Sequence, residues 1–292
     1  MSFWTNYHSH CDYCDGKFEP ERYVERAIDF QVLAYGFSSH APLPFDCKWC
    51  MNIEDISDYL DEISTLQRKY KGRIELYKGL EIDYIPKVIG PNRPGIEELN
   101  LDYTIGSIHF IDQFEDGSPW EVDGSHDKFL KGLKEIYHGD VKKVLQRYFQ
   151  LTREMVENDC PDIVGHMDKI KVQNIENKFY SEFSSWYKKE IMQTLETIAA
   201  AGAIVEVNTR GIYTRRTVHT YPSMWVLEKI QEMNIPITLN SDAHHPEEII
   251  NKFGSSCHML REIGFEHIKV LFQNEWQDAA LDSNGLKLPQ YA

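Results

Sequence analysis

The stretch Trp4-Thr5-Asn6-Tyr7-His8-Ser9-His10 contains the first predicted strand, a short run that ends in two histidines. Aromatic and β-branched residues favour a β-strand over Trp4–His8. Residues two apart in an extended chain face the same way, so His8 and His10 share a face. The rest of the chain repeats this arrangement: a short apolar run, then a polar cluster, then a longer amphipathic segment.

Strand-like runs alternate with helical patterns along the whole chain. The predicted strands are Trp4–His8, Ala34–Ser38, Glu75–Ile82, Tyr103–Ile108, Asp162–Gly165, Ala203–Asn208 and Pro236–Leu239. The predicted helices are Pro20–Phe30, Ile53–Tyr70, Val141–Asn158, Phe183–Ala201, Pro222–Met233, Pro246–Lys252 and Ser256–Ile263. This alternation predicts parallel β/α units, and seven strands fit either a closed barrel or a doubly wound sheet. The segment Ile268–Phe272 is left open, as an eighth strand or an edge piece.

Composition limits the classes of function. The chain has 292 residues, 42% of them hydrophobic, and a formal net charge of −15. Such an acidic chain disfavours nucleic acid and anionic membranes as partners. It has no apolar run of about 18 residues, and its first residues lack the features of a signal peptide, so we expect a cytoplasmic protein. No linker-like stretch divides it, and we expect residues 1–292 to form a single domain.

Polar clusters follow the predicted strands. Five of the seven strands end in histidine and one more ends in glutamate; at the end of the seventh strand, Asp242 shares a face with its histidine, His244. The carboxyl ends of parallel β/α strands meet on one side of the fold, so these residues should converge on one pocket. Imidazole nitrogens with carboxylate oxygens are the ligands of Zn²⁺, Mn²⁺ or Fe²⁺. A lone histidine is more often structural, but the repetition predicts a metal-dependent hydrolase.

The cysteines offer a rival metal site. Cys11/Cys14 and Cys47/Cys50 are two Cys-x-x-Cys pairs that could in principle bind one structural zinc. The first pair is interleaved with the histidine motif, however, and the gap between pairs is about double that of a zinc ribbon. A chain this long also does not need disulfides. We therefore expect buried or half-buried free thiols.

The motifs together resemble a known family. They are His8-Ser9-His10 with Cys14-Asp15-Gly16, Ser39-His40, Gly79-Leu80-Glu81-Ile82, Gly106-Ser107-Ile108-His109, Gly165-His166-Met167-Asp168 and Ser241-Asp242-Ala243-His244. In this order they resemble the polymerase-and-histidinol-phosphatase (PHP) family over nearly the full chain. The run Glu206-Val207-Asn208-Thr209-Arg210-Gly211, followed by Tyr221-Pro222-Ser223, is similar to the stand-alone histidinol-phosphate phosphatases.

The resemblance implies a fold and a ligand set. The fold would be a distorted, TIM-like (β/α)7 barrel that holds three divalent ions of zinc, manganese or iron. By the resemblance, His8, His10, Glu81 and Asp242 hold the first ion; Glu81, His109 and His166 hold the second; Asp15, His40 and His244 hold the third. Glu81, Asp242 and His244 would be the catalytic residues. All nine positions carry the expected kind of residue.

The implied reaction is hydrolysis of L-histidinol phosphate to L-histidinol and phosphate in histidine biosynthesis, through a metal-activated hydroxide. Guanidinium groups suit phosphate, so Arg210 and Arg216 are predicted to contact the substrate. Asn208 is the third predicted substrate contact. Arg210 shares a face with Asn208 if the strand stays extended. The candidates for receiving the amine and imidazole of the leaving group are Asp12, Asp46, Glu115 and Tyr213.

Other functions remain open at this point. The same site could act on another phosphomonoester or a nucleotide. An amidohydrolase also carries His-x-His on its first strand, but would be expected to use a carboxylated lysine where this chain offers Glu81. A non-catalytic metal-binding module is a further alternative. The sequence does not indicate the physiological metal, the general acid or the oligomeric state.

Overall fold

The alternation of strands and helices is present in the computed structural model, which describes residues 3–282 and 285–287. The strands are β1 Trp4–Asn6, β2 Val32–Phe37, β3 Glu75–Asp83, β4 Tyr103–Ser107, β5 Phe110–Gln113, β6 Pro119–Glu121, β7 Ile163–Val164, β8 Ile204–Asn208, β9 Ile237–Asn240, β10 His267–Phe272, β11 Glu275–Asp282 and β12 Gly285–Lys287. The helices are α1 Pro20–Asp29, α2 Ile56–Lys69, α3 Pro94–Glu97, α4 His126–Glu135, α5 Val141–Asn158, α6 Ser185–Ala201, α7 Arg210–Tyr213, α8 Met224–Glu232 and α9 Phe253–Ile263.

The central sheet is a nearly closed barrel of parallel strands. Its seven strands follow the order β1-β2-β3-β4-β7-β8-β9, and every neighbouring pair is parallel. The first and last strands approach each other just past their ends, where Ser9 and Ala243 form a parallel bridge. All seven predicted barrel strands are confirmed, and the barrel alternative is the correct one. The carboxyl ends of these strands therefore surround one pocket.

The interior of the barrel is filled by a tyrosine. The hydroxyl of Tyr103 donates to the backbone carbonyls of Tyr7 at 2.6 Å and Phe37 at 3.0 Å. Its ring passes so close to β2 and β3 that a Cβ atom at Gly36 or Gly79 would lie 2.3 or 2.4 Å from it. Glycine is thus required at both positions, since a larger residue would displace a fully buried ring.

A second sheet covers one side of the barrel. Strands β10, β11 and β12 pair antiparallel in consecutive order. The segment Ile268–Phe272 therefore lies in β10, outside the parallel barrel. The hydroxyl of Tyr7 joins the two sheets by donating to the carbonyl of Leu271 at 2.8 Å. No helix in the described part of the chain has both the length and the apolar character of a membrane span.

Two local expectations are wrong, and some elements were not predicted. The helix predicted over Pro246–Lys252 is a short 3₁₀ turn, Pro246–Glu248, because Lys252 has a left-handed backbone (φ 67°) and α9 begins only after it. The β5–β6 hairpin and α4 had no predicted counterpart. Cys47 and Cys50 form a disulfide rather than free thiols, since the turn brings their Cα atoms to 5.4 Å. That pairing removes both thiols from any zinc site.

Candidate metal centre

The nine predicted ligand positions converge at the carboxyl ends of the barrel strands. Four overlapping groups could each hold an ion, and together they contain His8, His10, Asp15, His40, Glu81, His109, His166, Asp242 and His244. Within each group the ligand atoms lie within 4.8 Å of one another. Most of these side chains are buried, and Asp15 and His244 lie at the more exposed side. The convergence follows from the topology, because each residue ends or follows a parallel strand.

Glu81 lies at the middle of the cluster. Its carboxylate, on β3 and 1% exposed, has His166 Nε2 at 2.8 Å, His40 Nδ1 at 3.0 Å and His8 Nε2 at 3.2 Å. His109 Nε2 lies at 3.6 Å. A carboxylate with imidazole nitrogens on several sides can bridge ions, since each of its two oxygens can serve a different one. The geometry therefore matches a shared ligand.

In four site histidines, Nδ1 contacts a polar atom on the side of the ring that faces away from the centre of the cluster. Three of these contacts are to oxygen: His8 to Glu206 at 2.6 Å, His109 to Asp83 at 3.1 Å, and His244 to the backbone carbonyl of Asp242 at 3.1 Å. The fourth, His10 Nδ1, lies 3.5 Å from Cys14 Sγ. Each contact leaves Nε2 for the centre of the cluster. Metal-binding histidines are oriented in this way by an acceptor on the outer nitrogen.

Several inward-facing atoms have no hydrogen-bond partner. They include His8 Nε2, His10 Nε2 and Glu81 Oε2, all buried. An unpaired buried polar atom costs about 1–3 kcal/mol, so a cluster of them is unfavourable without a ligand. Imidazole and carboxylate are also the donor types that zinc, manganese and iron prefer. The residues present therefore fit divalent ions.

The charges within the cluster suit this role. Burial would raise the pKa of Glu81 and Asp242, but positive charge on His8 and other neighbours holds both pKa values well below their ordinary range. Burial, reinforced by neighbouring histidines, lowers the pKa of His10. For His8 burial acts in the same sense, but the carboxylates of Glu206, Glu81 and Asp242 outweigh it and raise its pKa. The carboxylates are thus charged at pH 7, as metal binding requires.

Asp242 is held in an uncommon backbone conformation. Its φ is 54°, in the left-handed region that few non-glycine residues adopt, although aspartate is among those that tolerate it. The residue directly follows β9, and the amide of Asn208 donates to its Oδ2 at 3.2 Å. Strained backbone often occurs at functional positions. Here it places the Asp242 carboxylate 3.3 Å from His10 Nε2.

The predicted substrate contacts differ in position. Arg210 and Arg216 line the pocket together with His40, His109 and His244. Asn208 is fully buried, and its amide is used on Asp242 and Glu206. The structure therefore gives Asn208 a positioning contact with Asp242 instead of a place on the pocket wall.

Arg210 does not share a strand face with Asn208, because the strand does not stay extended as far as Arg210. The side-chain oxygen of Asn208 accepts a hydrogen bond from the backbone N–H of Arg210 at 2.9 Å, which turns the chain. Strand β8 ends at Asn208, and α7 begins at Arg210. Arg210 then donates to the carbonyl of Asp242 at 2.8 Å.

The pocket wall includes aromatic and charged residues that the sequence did not single out. They are Trp49, Glu121, Asp123 and Lys169. Lys169 Nζ lies 3.2 Å from Asp123 Oδ2 and 3.4 Å from Nε2 of both His109 and His166. Lys169 directly follows the Gly165–Asp168 motif, which was the available signal. The other three lie in loops or at a hairpin end, where no periodic pattern marked them.

The four candidates for leaving-group contacts are not on this wall. Asp12, Asp46, Glu115 and Tyr213 are absent from the described residues that line the pocket. Glu115 lies in the turn of the β5–β6 hairpin and is exposed. The hydroxyl of Tyr213 donates behind the site, to the carbonyls of Ser241 and Asp242, at 3.0 Å each. Side-chain type alone could not indicate which acidic or aromatic residues reach the pocket.

Comparisons with known proteins agree with this architecture. A family model described as "PHP domain" matches residues 6–210. A Deinococcus radiodurans protein named "Probable histidinol-phosphatase" is 26% identical over 86% of this chain and 92% of its own length. The histidinol-phosphatase of Bacillus subtilis is 25% identical over 83% of this chain and 94% of its own.

One solved structure matches the fold over almost the entire chain. It is the histidinol phosphate phosphatase of Lactococcus lactis, complexed with zinc, L-histidinol and phosphate. The match has a TM-score of 0.67 and 20% identity, and covers 98% of this chain and 99% of that chain. At this identity the match shows a shared fold.

Proposed function

We propose that this chain, which belongs to the PHP domain family, is a metal-dependent phosphatase. Its substrate would be L-histidinol phosphate, which it would hydrolyse to L-histidinol and phosphate in histidine biosynthesis. The proposal includes a single catalytic domain over residues 1–292, a cytoplasmic location and a small-molecule substrate. Relatives named histidinol-phosphatase, at about 25% identity over most of the chain, support it.

The metal dependence rests on one observation: His8 and His10 are each contacted at the outer nitrogen, and their inner Nε2 atoms face carboxylates without hydrogen-bonding to them. His8 shows the pattern best, with Nδ1 on Glu206 and an unpartnered buried Nε2. The nine residues of the cluster would hold three divalent ions of zinc, manganese or iron. Such ions supply Lewis acidity and an activated water for attack on a phosphate ester.

The protein's own side chains then have separate tasks. Glu81, Asp242 and His244 are the residues that we place nearest the reacting group. Asn208 orients the Asp242 carboxylate, and Glu206 orients His8. Both arrangements reduce the reorganisation needed when charge develops on the phosphoryl oxygens.

Positive charge lines one side of the pocket. Lys169, Arg210 and Arg216 all contribute to its wall. Guanidinium and ammonium groups bind phosphate oxygens by charge-assisted hydrogen bonds. In a chain of net charge −15, this concentration of cations favours a small anionic substrate at this end of the barrel.

An amidohydrolase is the second candidate, because a lysine does lie beside the centre. Lys169 Nζ is 3.4 Å from two site histidines. Burial disfavours its charge, but Asp123 and further carboxylates outweigh burial and raise its pKa above the ordinary value. A lysine that stays an ammonium is a poor candidate for carboxylation, so we favour the phosphatase.

Phosphate release tests the proposal directly. The purified protein is assayed with L-histidinol phosphate, glycerol phosphate, a mononucleotide and a dihydropyrimidine amide, each in the presence of Mn²⁺ or Zn²⁺. We expect the highest kcat/KM on L-histidinol phosphate. Equal rates on all three phosphomonoesters would refute the named substrate, and activity on the amide alone would refute the phosphatase.

A further inference from the structure

Trp49 and Glu121 line one side of the pocket, and Phe110 contacts the Trp49 ring; we call these three residues the hairpin wall. The rings of Trp49 and Phe110 are stacked, with centroids 5.6 Å apart and planes within 8°. Phe110 and Glu121 are direct cross-strand partners in the β5–β6 hairpin. Directly opposed residues present their side chains on the same face, so Phe110 links the Trp49 ring to the Glu121 side chain.

The hairpin wall stands beside the metal centre. The Trp49 ring lies 4.5 Å from the His40 ring and 5.3 Å from the His109 ring, centroid to centroid. The hairpin is tied to the site, because His109 directly precedes β5 and its carbonyl accepts a hydrogen bond from Val122 N–H at 2.9 Å. The hairpin wall therefore lies within reach of a substrate bound beside His40 and His109.

The two carboxylates near the wall are differently paired. Asp123 is ion-paired with Lys169 at 3.2 Å, and both groups are largely buried. Glu121 forms an ion pair with Lys128 at 3.7 Å, and that lysine is 70% exposed. Surface pairs of this kind contribute little, so the charge of Glu121 is left available for another cation.

Glu121 points its carboxylate along the pocket. A Cβ atom at Gly124, which also lines the pocket, would lie 2.6 Å from Glu121 Oε1. The carboxylate thus lies over Gly124, where a glycine leaves space for it. Burial, and then the charge of Asp123, raise the pKa of Glu121, so a bound cation would relieve an unfavourable environment.

A carboxylate beside stacked rings recognises a particular chemistry. Aromatic faces attract flat rings and cations, and a carboxylate pairs with an ammonium group. We infer that Trp49 and Glu121 are the specificity-determining residues for the leaving group: Trp49 packs on its ring and Glu121 accepts a hydrogen bond from its primary amine. The inference rests on the proposed function for binding of the substrate's phosphate group, and it adds the residues that would bind the histidinol leaving group.

Binding of the product L-histidinol tests the inference without turnover. Its affinity for the metal-loaded protein is measured by isothermal titration calorimetry, beside 3-(imidazol-4-yl)propan-1-ol, which lacks the amine. We expect Glu121→Gln to weaken L-histidinol about tenfold, the range of one hydrogen bond to a charged group, and to leave the amine-free alcohol unchanged. The matched control Glu115→Gln, at the exposed hairpin turn, should change neither affinity.

Trp49 is tested separately, because it would act on the ring. Trp49→Leu should weaken both alcohols by a similar factor, about three- to tenfold, and Trp49→Phe should restore most of the affinity. Equal loss of both alcohols in Glu121→Gln, or no loss in either variant, would overturn the inference. So would a wild-type protein that binds the two alcohols equally.

Kinetics separates this inference from the proposed function. Glu121→Gln should raise KM for L-histidinol phosphate, and its kcat/KM should fall much less on glycerol phosphate, which has neither ring nor amine. A wild-type protein without phosphatase activity would refute the proposed function, and L-histidinol binding would still decide the inference. A Glu121→Gln protein that keeps the wild-type preference would refute the inference while the phosphatase stands.

Discussion

The floor and the rim of the pocket are built in different ways. The floor consists of His8, His10, Glu81, His166 and Asp242, with side chains 0–2% exposed at the ends of barrel strands. The rim consists of Trp49, Glu121, Lys169, Arg210 and Arg216, which lie on loops, short helical turns and a hairpin. Floor residues are held by the parallel sheet and by buried acceptors. The comparison suggests that the floor determines the chemistry and the rim determines the substrate.

The largest expected effect is on the floor. Glu81→Gln keeps the size of the side chain but removes the charge shared by five histidines. Since bound ions contribute several kcal/mol to catalysis, we expect kcat/KM to fall by about 1,000-fold or more, with loss of bound metal. Metal analysis and phosphate release on one sample check this, with Glu115→Gln as the control. Full activity in Glu81→Gln would contradict the bridging role.

A weaker effect, on metal affinity, is expected from Glu206, which contacts residues of the floor. Glu206 contacts His8 Nδ1 and accepts hydrogen bonds from His166 N–H and from the amides of Asn208 and Asn240. Glu206→Gln should lower metal affinity by about 10- to 100-fold, because the orientation and basicity of His8 depend on this carboxylate. Competition with a chelator of known affinity measures it. Unchanged affinity would show that Glu206 serves folding only.

The sequence predicted the floor well for a physical reason. Each floor residue lies close to the carboxyl end of a strand with a plain apolar pattern, and parallel topology brings strand ends together. The resemblance to the PHP family then named all nine cluster positions before the structure, and their roles as ligands remain predictions. The rim was largely missed. Glu121 ends a three-residue strand with no alternation to reveal it, and Trp49 lies in a turn closed by a disulfide that the chain length did not suggest.

A third change affects the cationic rim. Arg216 lines the pocket and donates to the carbonyl of Asp123 at 2.9 Å. Arg216→Ala should raise KM about tenfold with a smaller change in kcat, since it removes a charged contact to the substrate phosphate. The neighbouring Arg215→Ala is the control, because Arg215 is absent from the described pocket lining. Equal effects of both variants would argue against a specific contact.

The smallest expected effect is on L-histidinol affinity, from a substitution at Gly124, which lies beside the Glu121 carboxylate. Gly124→Ala should displace the Glu121 carboxylate, because the new methyl group would overlap Oε1. We expect L-histidinol affinity to fall about threefold, and thermal stability to change little, since a flexible side chain can move. Gly95→Ala is the control, because a Cβ there meets nothing within 4 Å. Unaltered affinity would mean that Glu121 reaches the ligand from elsewhere.

The most direct test of the central claim joins metal content to phosphate release. The protein is depleted with a chelator, dialysed, and titrated with Mn²⁺ or Zn²⁺ while bound metal and hydrolysis of L-histidinol phosphate are measured together. The account predicts no activity in the depleted protein and recovery as the chain takes up about three ions through the nine-residue cluster. Full activity without bound metal would contradict it.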